Sequence, residues 1–251
     1  MVRKLEVLIT SGGTISKIDD IRHVGNFSVG TTGALIAEEF LRQGHGVSYV
    51  YGQHAKVPFK RNLAVDVNKP KKQEFRRVAK AYDEFVNYNN NLIEYPISTF
   101  ESYYNTLKQI LVERPVDVVV LAAAVGDYSA ERVNGKISSD KDNLEIKMRK
   151  NPKVIQHIKE WNPEVYLVGF KLLSDVSDEE LLNVAEANAK KTNSDMTVAN
   201  LFPKRNMRDT KTYILVDGGA LPLQRKSLPE NLVKLVEYGL ERKEEGVLSY
   251  A

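Results

Sequence analysis

Residues 5–14 read LEVLITSGGT, a short apolar run that stops at two glycines. Such a run, bounded by a glycine turn, is typical of a buried strand. Farther along, apolar residues at 36, 37, 40 and 41 share one helical face and predict a helix over 33–43, and the run 47–51 predicts a second strand. A strand, a long loop, a helix and a strand within about fifty residues indicate the opening of a nucleotide-binding α/β fold.

The same alternation continues along the rest of the chain. The run 116–125 is so continuously apolar that it predicts a central strand covered on both faces. Further strands are predicted at 165–170, 196–199 and 213–216, and Ser-x-x-Glu pairs beginning at 98, 177 and 227 predict three helix starts. The fold class that we predict is therefore α/β: a Rossmann-like, mostly parallel sheet with helices on both faces.

Two stretches interrupt this alternation. The first, about 56–91, combines a polar, lysine-rich connection with a helix near 75–86, and we interpret it as an insertion on the rim of the sheet. The second, about 129–148, places polar residues around Lys136 and ends in alternating apolar residues, which predicts a hairpin arm or flap. Arms of this kind often cover a site or join subunits. We expect a single domain over residues 1–251.

The composition narrows the classes of function. Lys and Arg number 36 against 33 Asp and Glu, so the net charge of +3 gives no reason to expect a nucleic-acid partner. The absence of cysteine excludes disulfides and cysteine nucleophiles, and the four histidines lack metal-ligand spacing, so no protein metal site is expected. Because the sequence has neither a signal-peptide pattern nor an apolar run of about 18 residues, we expect a cytoplasmic protein without a membrane partner.

Glycines follow the first strand and precede the first helix. Gly12 ends the strand, and Gly30 and Gly33 flank the start of the helix, with Ser28 just before them. Glycines there let backbone N–H groups approach an anion at the positive end of the helix, which is typical of a phosphate cradle. The spacing matches neither G-x-G-x-x-G nor the Walker lysine motif, so ordinary loop glycines remain the alternative interpretation.

Other candidate residues follow later strands, where ligands bind in open parallel sheets. Ala123 and Ala124 leave room for a ligand, and Asp127 offers a carboxylate at the mouth of the central strand. Phe170 can stack on a base, and the amide of Asn200 can read a base edge. Each has a plainer alternative: a capping aspartate, a core phenylalanine and a turn asparagine.

Lys136 lies on the predicted arm, from which a mobile lysine can reach phosphates, although a solvated surface charge is the alternative. Tyr104 and Lys108 have the Tyr-x-x-x-Lys spacing of short-chain dehydrogenases. They precede the central strand instead of following it, and one such pair is expected by chance.

Seven motifs in matching order, spread over nearly the whole chain, resemble those of the phosphopantothenate–cysteine ligases of coenzyme A biosynthesis. They are 10–14, Arg22 with 26–28, 122–128, 136–137, 150–152, 169–172 and 199–200. The resemblance implies a ligation in two steps. The carboxylate of 4'-phosphopantothenate attacks the α-phosphate of a nucleotide and releases pyrophosphate, and the amine of cysteine then displaces the nucleoside monophosphate to form an amide.

The resemblance also implies the roles of particular residues. It assigns nucleotide binding to Gly12, Ser28, Gly30, Gly33, Phe170 and Asn200, and binding of 4'-phosphopantothenate to Asn26, Ala123, Ala124 and Asp127. It implies that Arg22 reaches the substrate phosphate from the other subunit of a homodimer. Lys136 is implied as a catalytic flap lysine and Asn26 as a second catalytic residue, with Mg²⁺ on the nucleotide phosphates.

Two departures and two alternatives remain at this point. Residues 171–175 resemble those of stand-alone ligases of both bacteria and eukaryotes, so the resemblance implies CTP with ATP as the alternative. Gly126 stands where alanine is usual in the family. An NAD(P)-dependent oxidoreductase is disfavoured by the missing G-x-G-x-x-G. A non-catalytic nucleotide-binding regulator would need neither Lys136 nor Asn26.

Overall fold

An eight-stranded sheet forms the centre of the computed structural model, which describes residues 3–140, 142–202 and 211–246. The strands in chain order are β1 (Glu6–Ser11), β2 (Ile15–Lys17), β3 (His23–Gly25), β4 (Gly46–Gly52), β5 (Leu92–Ile97), β6 (Val118–Leu121), β7 (Tyr128–Ala130), β8 (Met148–Lys150), β9 (Tyr166–Leu173), β10 (Met196–Leu201), β11 (Lys211–Val216) and β12 (Gly219–Gln224). The sheet order is β12-β11-β10-β9-β6-β1-β4-β5. All pairs from β5 to β10 are parallel, and β11 and β12 add an antiparallel edge.

Helices cover both faces of this sheet. They are α1 (Thr31–Arg42), α2 (Lys71–Tyr88), α3 (Phe100–Glu113), α4 (Ile158–Trp161), α5 (Asp178–Thr192) and α6 (Leu228–Glu244). Because side chains alternate along a strand, Val7 and Ile9 of β1 pack with α1 and α6, whereas Leu8 packs with α3 and α4 on the other face. The predicted fold class is confirmed: the sheet is mostly parallel, and its central strands are buried on both sides.

Helix starts agree with the sequence patterns in some cases only. Ser177 caps α5 as predicted, since its side chain accepts a hydrogen bond from the N–H of Glu180. The predicted cap of α3 at Ser98 is wrong by one residue, because Thr99 is the N-cap and forms a reciprocal capping box with Ser102. Both assignments place a hydroxyl where orphan N–H groups need an acceptor, and a shift of one residue changes only which hydroxyl supplies it.

Two other boundaries also differ from prediction. Ser227 precedes α6 as expected, but its hydroxyl donates to the carbonyl of Gln224 instead of capping the helix. The apolar run 116–125 contains only the four strand residues of β6, and 122–125 continue as non-strand backbone at the end of the sheet. The predicted central strand therefore exists but is shorter, which leaves its alanines outside the hydrogen-bonded ladder.

The two interrupting stretches have different structures. The rim insertion contains α2, from which Phe85 and Tyr88 pack against the main core. The arm is a ladder only at its base, where β7 pairs with β8, and residue 141 of the predicted arm lies outside the described residues. The predicted domain limits, residues 1 and 251, also lie outside them.

A second small hairpin was not predicted. Residues 11–29 were expected to form one long loop, but β2 and β3 pair within it as an antiparallel ladder. No helix in the described parts of the chain is both long and apolar enough to cross a membrane.

Candidate functional site

The predicted site lies at the carboxyl edge of the sheet, where β1 and β6 are neighbours. β4 and β5, which follow β1 along the chain, lie on one side of this pair of strands. β9 and β10, which follow β6, lie on the opposite side of the pair. Such a reversal of strand order opens a crevice in which α/β proteins bind ligands. Beyond the two strand ends, the N–H of Ala124 donates to the carbonyl of Gly12 at 2.7 Å, and Thr14 donates back to Ala124 at 3.3 Å. These bonds hold the alanine segment beside the glycine turn.

The three predicted cradle glycines lie in close packing with their own chain. A Cβ at Gly12 would lie 2.5 Å from the Cβ of Ala55, and a Cβ at Gly33 would lie 2.5 Å from the Oγ of Ser11. The Ser11 hydroxyl donates to the carbonyl of Gly30, which is the N-cap of α1 with φ of +70°. Glycine is therefore required at these positions by packing and backbone conformation alone.

The same packing leaves the first turn of α1 available to an anion. Its N-cap, Gly30, has no side chain to accept hydrogen bonds from that turn, and the turn contains no acidic residue. The orphan N–H groups and the helix dipole favour a negative group at this point. The loop from β4 lies against the cradle, because the N–H of Lys56 donates to the carbonyl of Val29 at 2.9 Å.

Three adjoining cavities follow the carboxyl edge of the sheet. The central cavity, about 360 Å³, is lined by both Asn26 and Asp127. The Phe170 cavity, about 270 Å³, shares Asp127 with the central one and also includes Ala123. The Ser28 cavity, about 310 Å³, shares Asn26 with the central one and also includes His54. We call these three adjoining cavities the groove. Candidate residues from widely separated parts of the sequence line it, whereas Gly12, Gly30, Gly33 and Ala124 line none of the three cavities.

Lysines line the Phe170 cavity, and none of them has a role assigned from the sequence, although Lys171 belongs to the motif 169–172. Lys153, Lys171 and Lys191 all line it, and the ammonium group of Lys153 donates to the carboxylate of Asp127. They come from the loop after β8, from β9 and from α5, so no local spacing connects them. The ring of Phe170 packs against the core on the opposite, α1 face of the sheet, so the cavity itself offers three cations, which suit an anion.

Asn151 fixes the loop that carries Asp127. Its side-chain amide donates to the carbonyl of Gly126 at 2.8 Å, and its backbone N–H donates to the carbonyl of Asp127 at 2.8 Å. The hydroxyl of Ser129 donates to its amide oxygen at 2.9 Å. Asn151 is 9% exposed, so it holds the loop that follows β6 from its buried side. Asn151 lies in the motif 150–152, which the resemblance included without assigning a role to it.

Asn200 lies farther along the sheet than the groove residues. It is on β10, whose Val198 pairs with Phe170, and its side-chain oxygen accepts a hydrogen bond from Thr212 at 2.8 Å. It does not line any of the three cavities described above. The ring of Phe170 and the side chain of Asn200 therefore both lie on the α1 face of the sheet, outside these cavities.

Arg22 and Lys136 lie on the two hairpins above the groove. The guanidinium of Arg22 donates to the carboxylate of Asp19, with its Nε at 2.9 Å and an Nη at 2.6 Å. This hydrogen bond is the main reason why the pKa of Asp19 lies well below its ordinary value. Lys136 is exposed, and in residues 3–140, 142–202 and 211–246 no hydrogen bond or ion pair engages its side chain.

Comparison with protein families shows where this arrangement belongs. The model for the "DNA/pantothenate metabolism flavoprotein C-terminal domain" family matches residues 2–88 and 86–236. The chain belongs to this family. The matched residues contain every candidate site residue named above, on both sides of the crevice.

Relatives of this flavoprotein C-terminal domain family carry informative names. The coenzyme A biosynthesis bifunctional protein CoaBC of Thermococcus kodakarensis is 33% identical over 89% of this chain and 48% of its own length. Phosphopantothenate–cysteine ligase CAB2 of Saccharomyces cerevisiae is 28% identical over 80% of this chain and 66% of its own length. The chain spans about half the length of the archaeal bifunctional relatives that it matches.

A solved structure within the same group confirms the fold. It is described as Cab2 mutant H337A in complex with phosphopantothenate-cysteine, and it matches with a TM-score of 0.77 at 23% identity. The match covers 96% of this chain and 89% of the other chain. The family fold therefore extends over the sheet, both sets of helices and the hairpins.

Proposed function

We propose that this protein is a phosphopantothenate–cysteine ligase that activates 4'-phosphopantothenate with a nucleoside triphosphate and joins it to cysteine. The relatives named as such ligases support this activity. The observation that carries the proposal is the groove, in which Asn26 and Asp127 line the central cavity and its neighbours beside an uncapped helix start. In this reaction the site for the nucleotide phosphates must lie next to the site for the carboxylate of 4'-phosphopantothenate.

The groove has features suited to each part of the first step. The N–H groups at the start of α1 are suited to the triphosphate, and the ring of Phe170 is suited to the base. Asn26 and Asp127 face the central cavity, where their amide and carboxylate can accept hydrogen bonds from the hydroxyl and amide groups of the pantothenate part. The substrate carboxylate then attacks the α-phosphorus, and the bond to pyrophosphate breaks.

Positive charge is required as two anions meet. The exposed ammonium group of Lys136 is suited to neutralise charge at the α-phosphate, because a fixed cation stabilises the transition state more strongly than water does. In the second step the cysteine amine attacks the acyl carbon, loses a proton, and displaces the nucleoside monophosphate. The chain itself has no thiol, so the only thiol in the reaction belongs to the substrate.

Mg²⁺ is proposed to accompany the triphosphate. Among the described residues, no group of three or more His, Asp or Glu side chains is arranged to hold a metal ion. With nucleotides, Mg²⁺ is usually held by phosphate oxygens and water together with one or two carboxylates. The ion would supply charge neutralisation at the phosphates.

Pyrophosphate release tests the activity and the nucleotide together. The purified chain is given 4'-phosphopantothenate, Mg²⁺ and cysteine, with CTP or ATP in parallel reactions. We expect release that depends on 4'-phosphopantothenate, and faster release with CTP. Faster release with ATP would reverse the nucleotide assignment. If neither nucleotide gives release above a reaction without substrate, the ligase proposal is wrong.

A homodimer with Arg22 acting in the partner's site is the second part of the proposal. Mixed dimers of Arg22→Gln and Lys136→Gln chains would contain one site with both defects and one with neither. Random mixing makes half of the dimers mixed, so about a quarter of wild-type activity should return. Mixtures no more active than the separate variants would show that Arg22 does not act across subunits.

A further inference from the structure

Asp19 is a buried carboxylate at the turn of the β2–β3 hairpin. Its side chain is 0% exposed, although the turn around it faces solvent. One carboxylate oxygen accepts from the N–H groups of Ile21 at 2.9 Å and Arg22 at 2.7 Å. The other accepts from the guanidinium of Arg22 and, at 3.1 Å, from the backbone N–H of Ile137 on the arm. A single carboxylate therefore bonds to both hairpins.

The arm is held on both sides of Lys136. Beyond the bond from Ile137 to Asp19, the carbonyl of Ile137 accepts from Arg22 at 2.8 Å. On the preceding side, the N–H of Gly135 donates to the carboxylate of Asp20 at 3.1 Å, and its carbonyl accepts from the N–H of Asp20 at 3.2 Å. Lys136 is thus the one residue between two anchored neighbours, and its side chain extends from a fixed backbone.

We infer that Asp19 is a positioning residue that fixes Arg22 and the backbone of Lys136 relative to each other. This inference rests on the proposed function for the roles of those two cations. A buried anion with several charge-assisted hydrogen bonds is costly to disturb, because each donor would lose a strong partner. If Arg22 serves the partner's site, Asp19 also connects the lysine of one site to the arginine of the other.

Asp19→Asn removes this link with little change in size, because one acceptor oxygen becomes a donor nitrogen facing other donors. The first test needs no activity. Trypsin cleaves after lysine only where the chain opens locally, so cleavage after Lys136, followed by mass spectrometry, reports how firmly the arm is held. We expect cleavage to become about tenfold faster or more in Asp19→Asn.

Glu131→Gln is the matched control for charge. Glu131 is also on the arm and forms ion pairs with Arg149 and Lys147, but it does not contact Arg22 or the neighbours of Lys136. We expect cleavage after Lys136 and turnover to remain as in the wild type. If Glu131→Gln speeds cleavage as much as Asp19→Asn does, general loosening of the arm explains the effect and the inference is overturned.

The second test is kinetic and separates positioning from loss of fold. In Asp19→Asn we expect kcat for pyrophosphate release to fall between about tenfold and about a hundredfold, the range that misplacement of a reacting group causes. KM for 4'-phosphopantothenate should rise because Arg22 loses the carboxylate that holds its guanidinium in place. In a Lys136→Gln background the same substitution should cost no further kcat, because its effect passes through that lysine.

The outcomes distinguish this inference from the proposed function. A wild-type chain that releases no pyrophosphate refutes the ligase proposal, and the cleavage rates then decide alone whether Asp19 holds the arm. If an active wild type and Asp19→Asn have equal rates of cleavage and release, or if the losses of kcat from Asp19→Asn and Lys136→Gln multiply, the inference is wrong. Should Asp19→Asn not fold, Arg22→Gln removes the guanidinium bonds to Asp19 and to the Ile137 carbonyl and leaves the bond from the Ile137 N–H; unchanged cleavage after Lys136 would then overturn the inference.

Discussion

Gly30 and Gly135 both have left-handed backbone, with φ of +70° and +77°, in two regions that border the groove. A Cβ at Gly30 would lie 2.7 Å from the Oγ of Ser11 and 2.9 Å from the Cβ of Ala55, whereas a Cβ at Gly135 would have no atom within 4 Å. The cradle is thus closely packed, with the side chains of Ser11 and Ala55 against its glycine. The arm stands in open space and is held by hydrogen bonds and charges.

One edge of the sheet thus combines a rigid part, the cradle, with an adjustable part, the arm. Close packing has a single arrangement, so the helix start and the glycine turn keep their positions before any ligand arrives. Polar bonds at a surface open at lower cost, since water replaces the lost partners. A ligand can therefore enter beneath the arm without disturbing the cradle.

The largest effect on stability is expected for Gly30→Ala. The new Cβ meets two packed atoms and also forces alanine into left-handed backbone, so the free energy of unfolding should fall by about 2 to 5 kcal/mol. Urea denaturation followed by circular dichroism measures it. A loss below about 1 kcal/mol would contradict the packed cradle described here.

Lys136→Gln should affect turnover without affecting stability. Loss of the cation should slow pyrophosphate release by about a hundredfold, a typical cost of removing one group that stabilises transition-state charge. The urea midpoint should stay unchanged because the side chain is exposed and has no hydrogen bond or ion pair within the described residues. Lys147→Gln, at an 87% exposed side chain on the same arm, is the control and should keep full turnover. Normal turnover in Lys136→Gln would remove this lysine from the mechanism.

Gly135→Ala separates the two contributions to the loss in Gly30→Ala, because it has the same backbone strain but no clash of the new Cβ. Its free energy of unfolding should fall by only about 1 to 2 kcal/mol, the cost of left-handed backbone for alanine. Measured beside Gly30→Ala, the difference between the two variants isolates the contribution of packing at the cradle. Equal losses in both would show that backbone strain, and not packing, determines the glycine requirement.

The smallest effect is expected on mild acidification. Hydrogen bonds from Arg22, Arg132 and Arg149 are the main cause of lowered pKa values in Asp19, Asp20 and Glu131 respectively. Carboxyls with lowered pKa values stabilise the fold above their ordinary pKa, which is 3.8 for aspartate, and this contribution is lost as the pH falls further. Amide hydrogen exchange at pH 3 and pH 5, corrected for intrinsic rates, should show the arm losing protection before β1. Simultaneous loss in both would contradict separate stabilisation.

Periodicity was sufficient to predict the buried elements. β1 and α1 are visible in the sequence because one continuous core selects apolar residues at fixed spacing. The β2–β3 hairpin is not visible, since its strands have three residues each and are supported by distant partners. Ser16 accepts from the N–H of Ala130, and Ile15 donates to the carbonyl of Ser98.

The candidate site also has a part that could be predicted from the sequence and a part that could not. The position of Asn26 and Asp127 at this edge could be predicted because the loops after the strands of a parallel sheet meet there. Phe170, by contrast, lies within β9, which extends to Leu173 instead of ending at residue 170. The pairing of Asp127 with Lys153 could not be predicted, because it depends on how two loops meet in three dimensions. Asp19 escaped notice for the same reason, as its partner Ile137 is 118 residues away along the chain.

The contact between the hairpin turn and the arm also has a consequence for the order of folding. Arg22 and Ile137 are 115 residues apart in the sequence, and β4, β5, α3 and β6 lie between them. Closing so long a loop is favourable only after the intervening strands have paired. We expect the hairpin and the arm to join only after the strands of the sheet have paired, so that the folding chain forms its groove before Arg22 and Lys136 take up their positions beside it.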